Sequence, residues 1–193
     1  MVTHPSILLI EDSPGECELF RLALAQTGLD VTLRTEQDAD TAFIFLESTL
    51  MTPAAVQSYS LNQNRFQGEA AGVVSTARVE RGPSQAARSA STETMPAASP
   101  SRPSLILLDL NLRGQDGCDF LKRLRSNPRF AAIPVVIFTT SDDPHDLARC
   151  YASGANGYVV KPGTFAELVQ CTGDICRYWI DRNRVLHMIG TPC

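Results

Sequence analysis

The sequence predicts an α/β fold: a doubly wound, five-stranded parallel sheet. Three observations carry this. Short apolar runs of strand length alternate five times with segments whose apolar residues recur at helical spacing. The central runs, Ile7–Ile10, Leu105–Leu108 and Val135–Phe138, are apolar without interruption, as strands covered on both faces must be. Four of the runs end in chemically active side chains, Glu11-Asp12, Asp109, Thr139 and Lys161, all on the edge of an open α/β sheet where ligands bind.

In chain order, Ser6–Ile10 is the first strand. Ser13-Pro14-Gly15-Glu16 then reads as a capping box with Pro at the first helical position, opening a helix whose inner face carries Cys17, Phe20, Ala23 and Leu24 and which Gly28 stops. Val31–Thr35 alternates and reads as a strand near the sheet edge. A second helix spans about Asp38 to Ser48 through Ala42, Phe43, Phe45 and Leu46. Leu105–Leu108 is the third strand, followed by a helix bearing Phe120, Leu121 and Leu124 on one face. Pro134–Ser141 holds the fourth strand, and Ser141 is the expected cap of a helix with Leu147, Cys150 and Tyr151 on its inner side. Tyr158–Val160 is the fifth strand. A last helix from about Thr164 to Val185 presents a stripe of Phe165, Leu168, Val169, Thr172, Ile175, Cys176, Trp179 and Ile180. Right-handed crossovers give this series a flavodoxin-like strand order, 2-1-3-4-5.

Between the second helix and the third strand the composition changes. Residues 51–103 hold five Pro, dense Ser, Thr and Ala, and only Tyr59 and Phe66 as aromatics, with five Arg against three Glu. Such a segment buries too little apolar surface to offset its ordering entropy, so a low-complexity, disordered insertion is expected, with Ala70–Val79 its best candidate for a short element. The domain expected is therefore a single one over 1–188, with its core in 5–50 and 104–185. The insertion should leave and rejoin at the N-terminal edge of the sheet.

Composition excludes several classes. The chain has 193 residues, 44% hydrophobic and 20% charged, with a net charge of −4. That is ordinary globular composition, without the basic surface a nucleic-acid binder needs. No apolar run approaches the ~20 residues of a membrane span, and Met1–Pro5 does not lead into a signal peptide, so a cytoplasmic location is expected. The six cysteines form no Cys-x-x-Cys pair and are expected to be small buried hydrophobes, not zinc ligands.

Glu11, Asp12 and Asp109 converging in one crevice would repel unless a cation neutralised them, and hard oxygen ligands of this kind suit Mg²⁺. A hydroxyl (Thr139) and an ammonium (Lys161) opposite them could hold the oxygens of a phosphoryl group, and a carboxylate that accepts one becomes an acyl phosphate.

The motifs Ile-Leu-Leu-Ile-Glu-Asp-Ser at 7–13, Leu-Ile-Leu-Leu-Asp-Leu-Asn-Leu at 105–112, Val-Val-Ile-Phe-Thr-Thr-Ser at 135–141 and Gly-Ala-Asn-Gly-Tyr-Val-Val-Lys-Pro at 154–162 resemble the CheY-like receiver domain of two-component response regulators. The resemblance implies that Asp109 is the phosphoacceptor. It implies that Mg²⁺ is held by Asp12, Asp109 and the backbone carbonyl of Asn111, with Glu11 acting through water. It further implies that Lys161 and Thr139 bind the phosphoryl group and that Tyr158 is an aromatic switch following Thr139. Glu11-Asp12-Ser13-Pro14, Thr139–Asp142 and the last helix with Tyr178-Trp179 are similar to stand-alone receivers paired with bacterial phytochrome-type histidine kinases. The chain departs from the family pattern at Arg113, where Pro is usual, and in the insertion.

The function expected is that of a phosphorelay response regulator rather than an enzyme, with a histidine kinase as partner and output through protein–protein contacts. Only about ten residues follow the last helix, too few for a helix-turn-helix, so no direct nucleic-acid contact is expected. A homodimer through helix four, strand five and helix five is one outlet for Trp179 and Ile180; packing on the domain's own end is the other. Two further alternatives are a degenerate receiver acting only as an interaction module and a haloacid-dehalogenase-type phosphatase. The phosphatase needs a second Asp two residues after the first, where this chain has Asn111.

Overall fold

The structure is a computed structural model and describes residues 4–50 and 101–184. Five parallel strands, β1 (Ser6–Ile10), β2 (Thr32–Glu36), β3 (Leu105–Leu108), β4 (Val135–Thr139) and β5 (Gly157–Val160), form one sheet in the order β2-β1-β3-β4-β5. This is the 2-1-3-4-5 order that the alternation of elements predicts. Five α-helices connect or flank the strands: α1 (Pro14–Gln26), α2 (Ala39–Ser48), α3 (Gly117–Ser126), α4 (Pro144–Ala152) and α5 (Phe165–Cys176), the last running into a π-helical segment, Arg177–Arg182. Asn111-Leu112 and Gln115-Asp116 pair as a small antiparallel ladder after β3.

The period-2 geometry of the strands sorts the apolar residues onto two faces. Leu8, Ile10, Ile106, Leu108, Val135 and Ile137 pack with Phe43 and Leu46 of α2, Phe120, Leu121 and Leu124 of α3, and Cys150 of α4. Ile7, Leu9, Leu105, Leu107, Val136 and Phe138 pack with Phe20 and Leu24 of α1 and Ile175 and Cys176 of α5. Phe20 meets Phe138 edge-on at 5.7 Å between ring centroids, and Phe43 lies 4.9 Å from Phe120. The interior strands are buried along their whole length, which is why they lack alternation in sequence. Strand β2, at the sheet edge, buries little more than Glu36.

Several local expectations are corrected. Ser13 does cap α1, accepting from the Glu16 N–H at 3.4 Å, but Glu16 does not close a capping box, because its carboxylate is engaged elsewhere by Lys161. The true capping box opens α5, where Thr164 Oγ1 accepts from the Glu167 N–H and the Glu167 carboxylate accepts from the Thr164 N–H. Asp143, not Ser141, caps α4. On α4 only Cys150 is buried; Leu147 and Tyr151 are exposed, so the helix turns most of its surface to solvent. The last helix is α-helical only to Cys176, and its first stripe residue, Phe165, is exposed.

Trp179 and Ile180 are half-buried against the domain's own second core face, the plainer of the two readings of that stripe. Pro103 is buried and the Ser104 N–H bonds the Ser6 carbonyl at 2.8 Å, so residues 101–103, assigned by composition to the insertion, belong to the fold at the N-terminal end of β3. The expectations of disorder over 51–100 and of an element at Ala70–Val79 lie outside the described residues. The last helix stops at Arg182, where Asn183 turns to extended backbone, short of the Val185 the sequence predicts.

Leu107→Ala, at a fully buried position between α1 and α5, should destabilise the protein by about 2–5 kcal/mol. Leu147→Ala on exposed α4 should change stability by less than about 0.5 kcal/mol. Urea unfolding midpoints of the two variants check this contrast.

Candidate functional site

The ladder between β1 and β3 pairs Ile10 with Leu108 and continues one residue further, since the Asp109 N–H donates to the Ile10 carbonyl at 3.0 Å. On the other side of β1, the Glu11 N–H donates to the Glu36 carbonyl at 2.9 Å. Backbone pairing thus fixes Glu11 and Asp109 side by side at the C-terminal edge of the sheet. Asp12 comes next, in the loop. One carboxylate oxygen from each of Glu11, Asp12 and Asp109 lies within 4.8 Å of the others. Across the edge, the Lys161 N–H donates to the Thr139 carbonyl at 2.7 Å, which sets the lysine beyond the end of β5 facing the acids.

Glu11 is 2% exposed and Asp109 6%. Glu11 is satisfied: Oε1 accepts from the Ser13 N–H at 3.0 Å and Oε2 from Lys161 Nζ at 2.5 Å. Asp109 is not. Its Oδ1 is buried and has no hydrogen-bond partner among the described residues, although Lys161 Nζ stands 3.7 Å away. Lys161 also contacts the Glu16 carboxylate, and Arg113, exposed, reaches Asp12 at 3.4 Å.

Burial raises the Glu11 carboxyl above its ordinary pKa, and this outweighs the Lys161 and Ser13 hydrogen bonds, which oppose it. Burial pulls the other way on Lys161, but its bonds to Glu11 and Glu16 and the nearby Asp109 charge more than compensate, and the ammonium is held above its usual range. Four carboxylates (Glu11, Asp12, Glu16 and Asp109) therefore share two cations, one of them at the surface. A buried, unpartnered carboxylate oxygen in an acid-rich crevice of oxygen donors fits a hard divalent cation such as Mg²⁺.

Thr139 is fully buried at the end of β4, and its Oγ1 accepts from the Ser141 N–H at 3.3 Å. The Tyr158 hydroxyl donates to the Ser141 carbonyl at 2.9 Å. Thr139 and Tyr158 thus meet on the two backbone groups of one residue. Asn111, two residues beyond Asp109, is exposed in the short ladder and pairs with Asp116.

Sequence reasoning misses or misreads three residues of this region. It assigns Glu16 to the helix cap, though a place in the first turn of a helix starting beside Asp12 is the signal that Glu16 faces the site. It reads Ser141 as a cap, whereas Ser141 joins Thr139 to Tyr158. In the sequence, Asp116-Gly117 is a turn signal and gives Gly117 no further role. A Cβ there would stand 2.3 Å from the Asp109 carbonyl oxygen and 3.0 Å from Leu110 Cα, so α3 can begin this close to the Asp109 backbone only at glycine.

A cluster of carboxylates at the carboxyl edge of a 2-1-3-4-5 sheet, with Lys161 beside it and Thr139 at the end of the neighbouring strand, defines a class. The sequence model of the response regulator receiver domain matches residues 72–172, just over half of the chain, and the chain belongs to this family. The match leaves out β1, which the long segment before β3 separates from the remaining motifs, but β1 lies next to β3 in the sheet.

Among its relatives, the chain is 40% identical over 84 residues to the probable methanogenesis regulatory protein FilR2 of Methanothrix harundinacea (44% of this chain, 54% of that one). It is 38% identical over 80 residues to the response regulator Rcp1 of Synechocystis sp. (42% of this chain, 54% of that one). The chain spans about half the length of these curated relatives. The crystal structure of the phosphorylated cyanobacterial phytochrome response regulator RcpA superposes with a TM-score of 0.64 at 25% identity, covering 96% of this chain and all of that one. The Mn²⁺-bound form of Rcp1 superposes with a TM-score of 0.62 at 24% identity, a likeness of fold, covering 95% of this chain and 99% of that one.

Gly117→Ala should force Asp109 and the start of α3 apart, because the obstructing atoms are backbone. The expected cost is about 1–3 kcal/mol in stability, together with weaker Mg²⁺ binding. Urea unfolding and calorimetric titration with MgCl₂ measure the two effects; a variant unchanged in both would show that this close approach is not needed.

Proposed function

We propose that the chain is a phosphorelay response regulator that accepts a phosphoryl group on Asp109 from a histidine kinase and signals through protein–protein contacts. The observation that carries this reading is the buried, unpartnered Oδ1 of Asp109, set among carboxylates and 3.7 Å from Lys161 Nζ. A carboxylate oxygen buried without a partner is costly, and it is available as a nucleophile. Membership of the receiver family supports the same role.

In this reading Asp12, Asp109 and the backbone carbonyl of Asn111 hold Mg²⁺, with Glu11 acting through water. The acidic cluster fits such an ion, and the Mn²⁺-bound form of Rcp1 supports a divalent cation in a relative. The ion, when bound, offsets the charge that builds up as phosphoryl oxygens approach the acids. Lys161 exchanges part of its contact with Glu11 and Glu16 for the phosphoryl group. Thr139 turns to hydrogen-bond it, releasing the Ser141 N–H. Because the Tyr158 hydroxyl rests on the carbonyl of that same residue, a shift of Ser141 is passed to β5. The populations of the face made by α4, β5 and α5 then change. Leu147, Tyr151, Val160, Phe165 and Tyr178 are exposed on these elements and the segment after them, and this face is the proposed contact for a target or for a second copy of the chain.

The similarity to RcpA and Rcp1 supports a phytochrome-type kinase as the donor. A cytoplasmic site of action is part of this reading. No helix among the described residues is long and apolar enough to cross a membrane. The working unit proposed is one receiver domain over 1–188, interrupted by the segment between α2 and β3.

Incubation with Mg²⁺ and a small phosphodonor such as acetyl phosphate should give stoichiometric, hydroxylamine-sensitive phosphate incorporation. Asp109→Asn should abolish it, and EDTA should prevent it. Asp12→Ala should weaken Mg²⁺ binding by more than the roughly 10–100-fold typical of an outer-shell change. Incorporation retained in Asp109→Asn would overturn the assignment. No incorporation in the wild-type chain would favour a receiver used only for binding, and steady turnover of a generic phosphoester would favour a phosphatase.

A further inference from the structure

Cys118 lies in the first turn of α3 and Cys150 in the last turn of α4. Both side chains are fully buried in the same core face, and their sulfurs stand 3.1 Å apart. A disulfide bond is about 2.05 Å long, so closing the gap takes an approach of only about 1 Å. The phosphoryl chemistry uses neither thiol.

Access is the physical question, and α4 answers it. Cys150 is the only buried residue of that helix. Its other holds are near the surface: Arg149 contacts Asp116 and Asp146, and Asp146 accepts from the Ser141 hydroxyl at 2.7 Å. Elements with few buried apolar contacts open at lower cost than the rest of a domain, and with the sulfurs 3.1 Å apart, an opening of α4 would give access to both. While α4 is closed, burial and the neighbouring Cys118 push the Cys150 thiol up to about 12, which disfavours its thiolate.

We propose that Cys118 and Cys150 form a reversible dithiol–disulfide site that staples α4 to the start of α3. The oxidant class is a low-molecular-weight disulfide. One protein thiolate attacks it, breaking its sulfur–sulfur bond, releasing one small thiol and leaving a mixed disulfide. The second protein thiolate displaces the other small thiol and forms the Cys118–Cys150 bond. The protein dithiol loses two electrons, the small disulfide gains them, and the two thiol protons leave on the two small thiols. The bond ties α4, whose first turn holds Ser141 through Asp146, to the helix that begins at Gly117 against the Asp109 backbone. This site does not depend on Asp109 being phosphorylated.

The test treats the purified full-length chain with oxidised glutathione under native conditions. Remaining thiols are then alkylated under denaturing conditions, and the peptides are mapped without reduction. The expected product is a Cys118–Cys150 linked peptide in most molecules, reversed by dithiothreitol and absent from Cys150→Ser. Amide exchange across α4 should slow by tenfold or more in the oxidised form. The proposal is overturned if both cysteines are recovered alkylated, if they end in mixed disulfides or linked to Cys17, Cys171, Cys176 or Cys193, or if the link forms only in denaturant. The wild-type map decides this even where the Cys150→Ser variant fails to fold.

Discussion

Strand β1 pairs with β3 so that Ile10 stands opposite Leu108, and the next backbone bond places Glu11 beside Asp109. Both strands are buried on two faces, so a slip of one residue would turn every apolar side chain toward the wrong layer. The hydrophobic core thereby fixes the relative position of two carboxylates that would otherwise move apart. Their mutual repulsion is sustained by the packing of Leu8, Ile10, Ile106 and Leu108 on one face and Ile7, Leu9, Leu105 and Leu107 on the other.

The electrostatics of the edge result from that forced proximity. Among the described residues Lys161 is the one partly buried cation facing these acids, and Glu11 and Glu16 claim it more closely than Asp109 does. Asp109 is therefore left with an unpartnered oxygen inside a crevice whose charges are not balanced. The start of α3 lies against the backbone of the same residue, an approach that only Gly117 permits. Packing, a backbone close contact and an incomplete ion-pair set thus converge on one side chain.

A change at this edge has a route outward through Ser141. Its N–H donates to Thr139, its carbonyl accepts from Tyr158, and its hydroxyl donates to Asp146 on α4. One residue thus ties β4, β5 and α4 together. Because α4 has a single buried side chain, few buried apolar contacts on that helix oppose a movement of Ser141.

The strand and helix order, the two-faced burial of the central strands and the placement of Glu11, Asp12, Asp109, Thr139 and Lys161 at one sheet edge were determined by the sequence alone. Each depends on local periodicity and on the rule that parallel strands present their C-terminal ends together. The sequence could not assign partners that depend on distance between elements. Glu16 looks like a capping residue until β5 brings Lys161 within reach; Leu147 and Tyr151 look like core until α4 is seen to bury Cys150 alone. Gly117 looks like a turn until α3 is placed against Asp109, and Cys118 and Cys150, 32 positions apart, carry no signal of contact. Periodicity is written along the chain, whereas these pairings are set by how closely separate helices approach the sheet, and that only the tertiary structure decided.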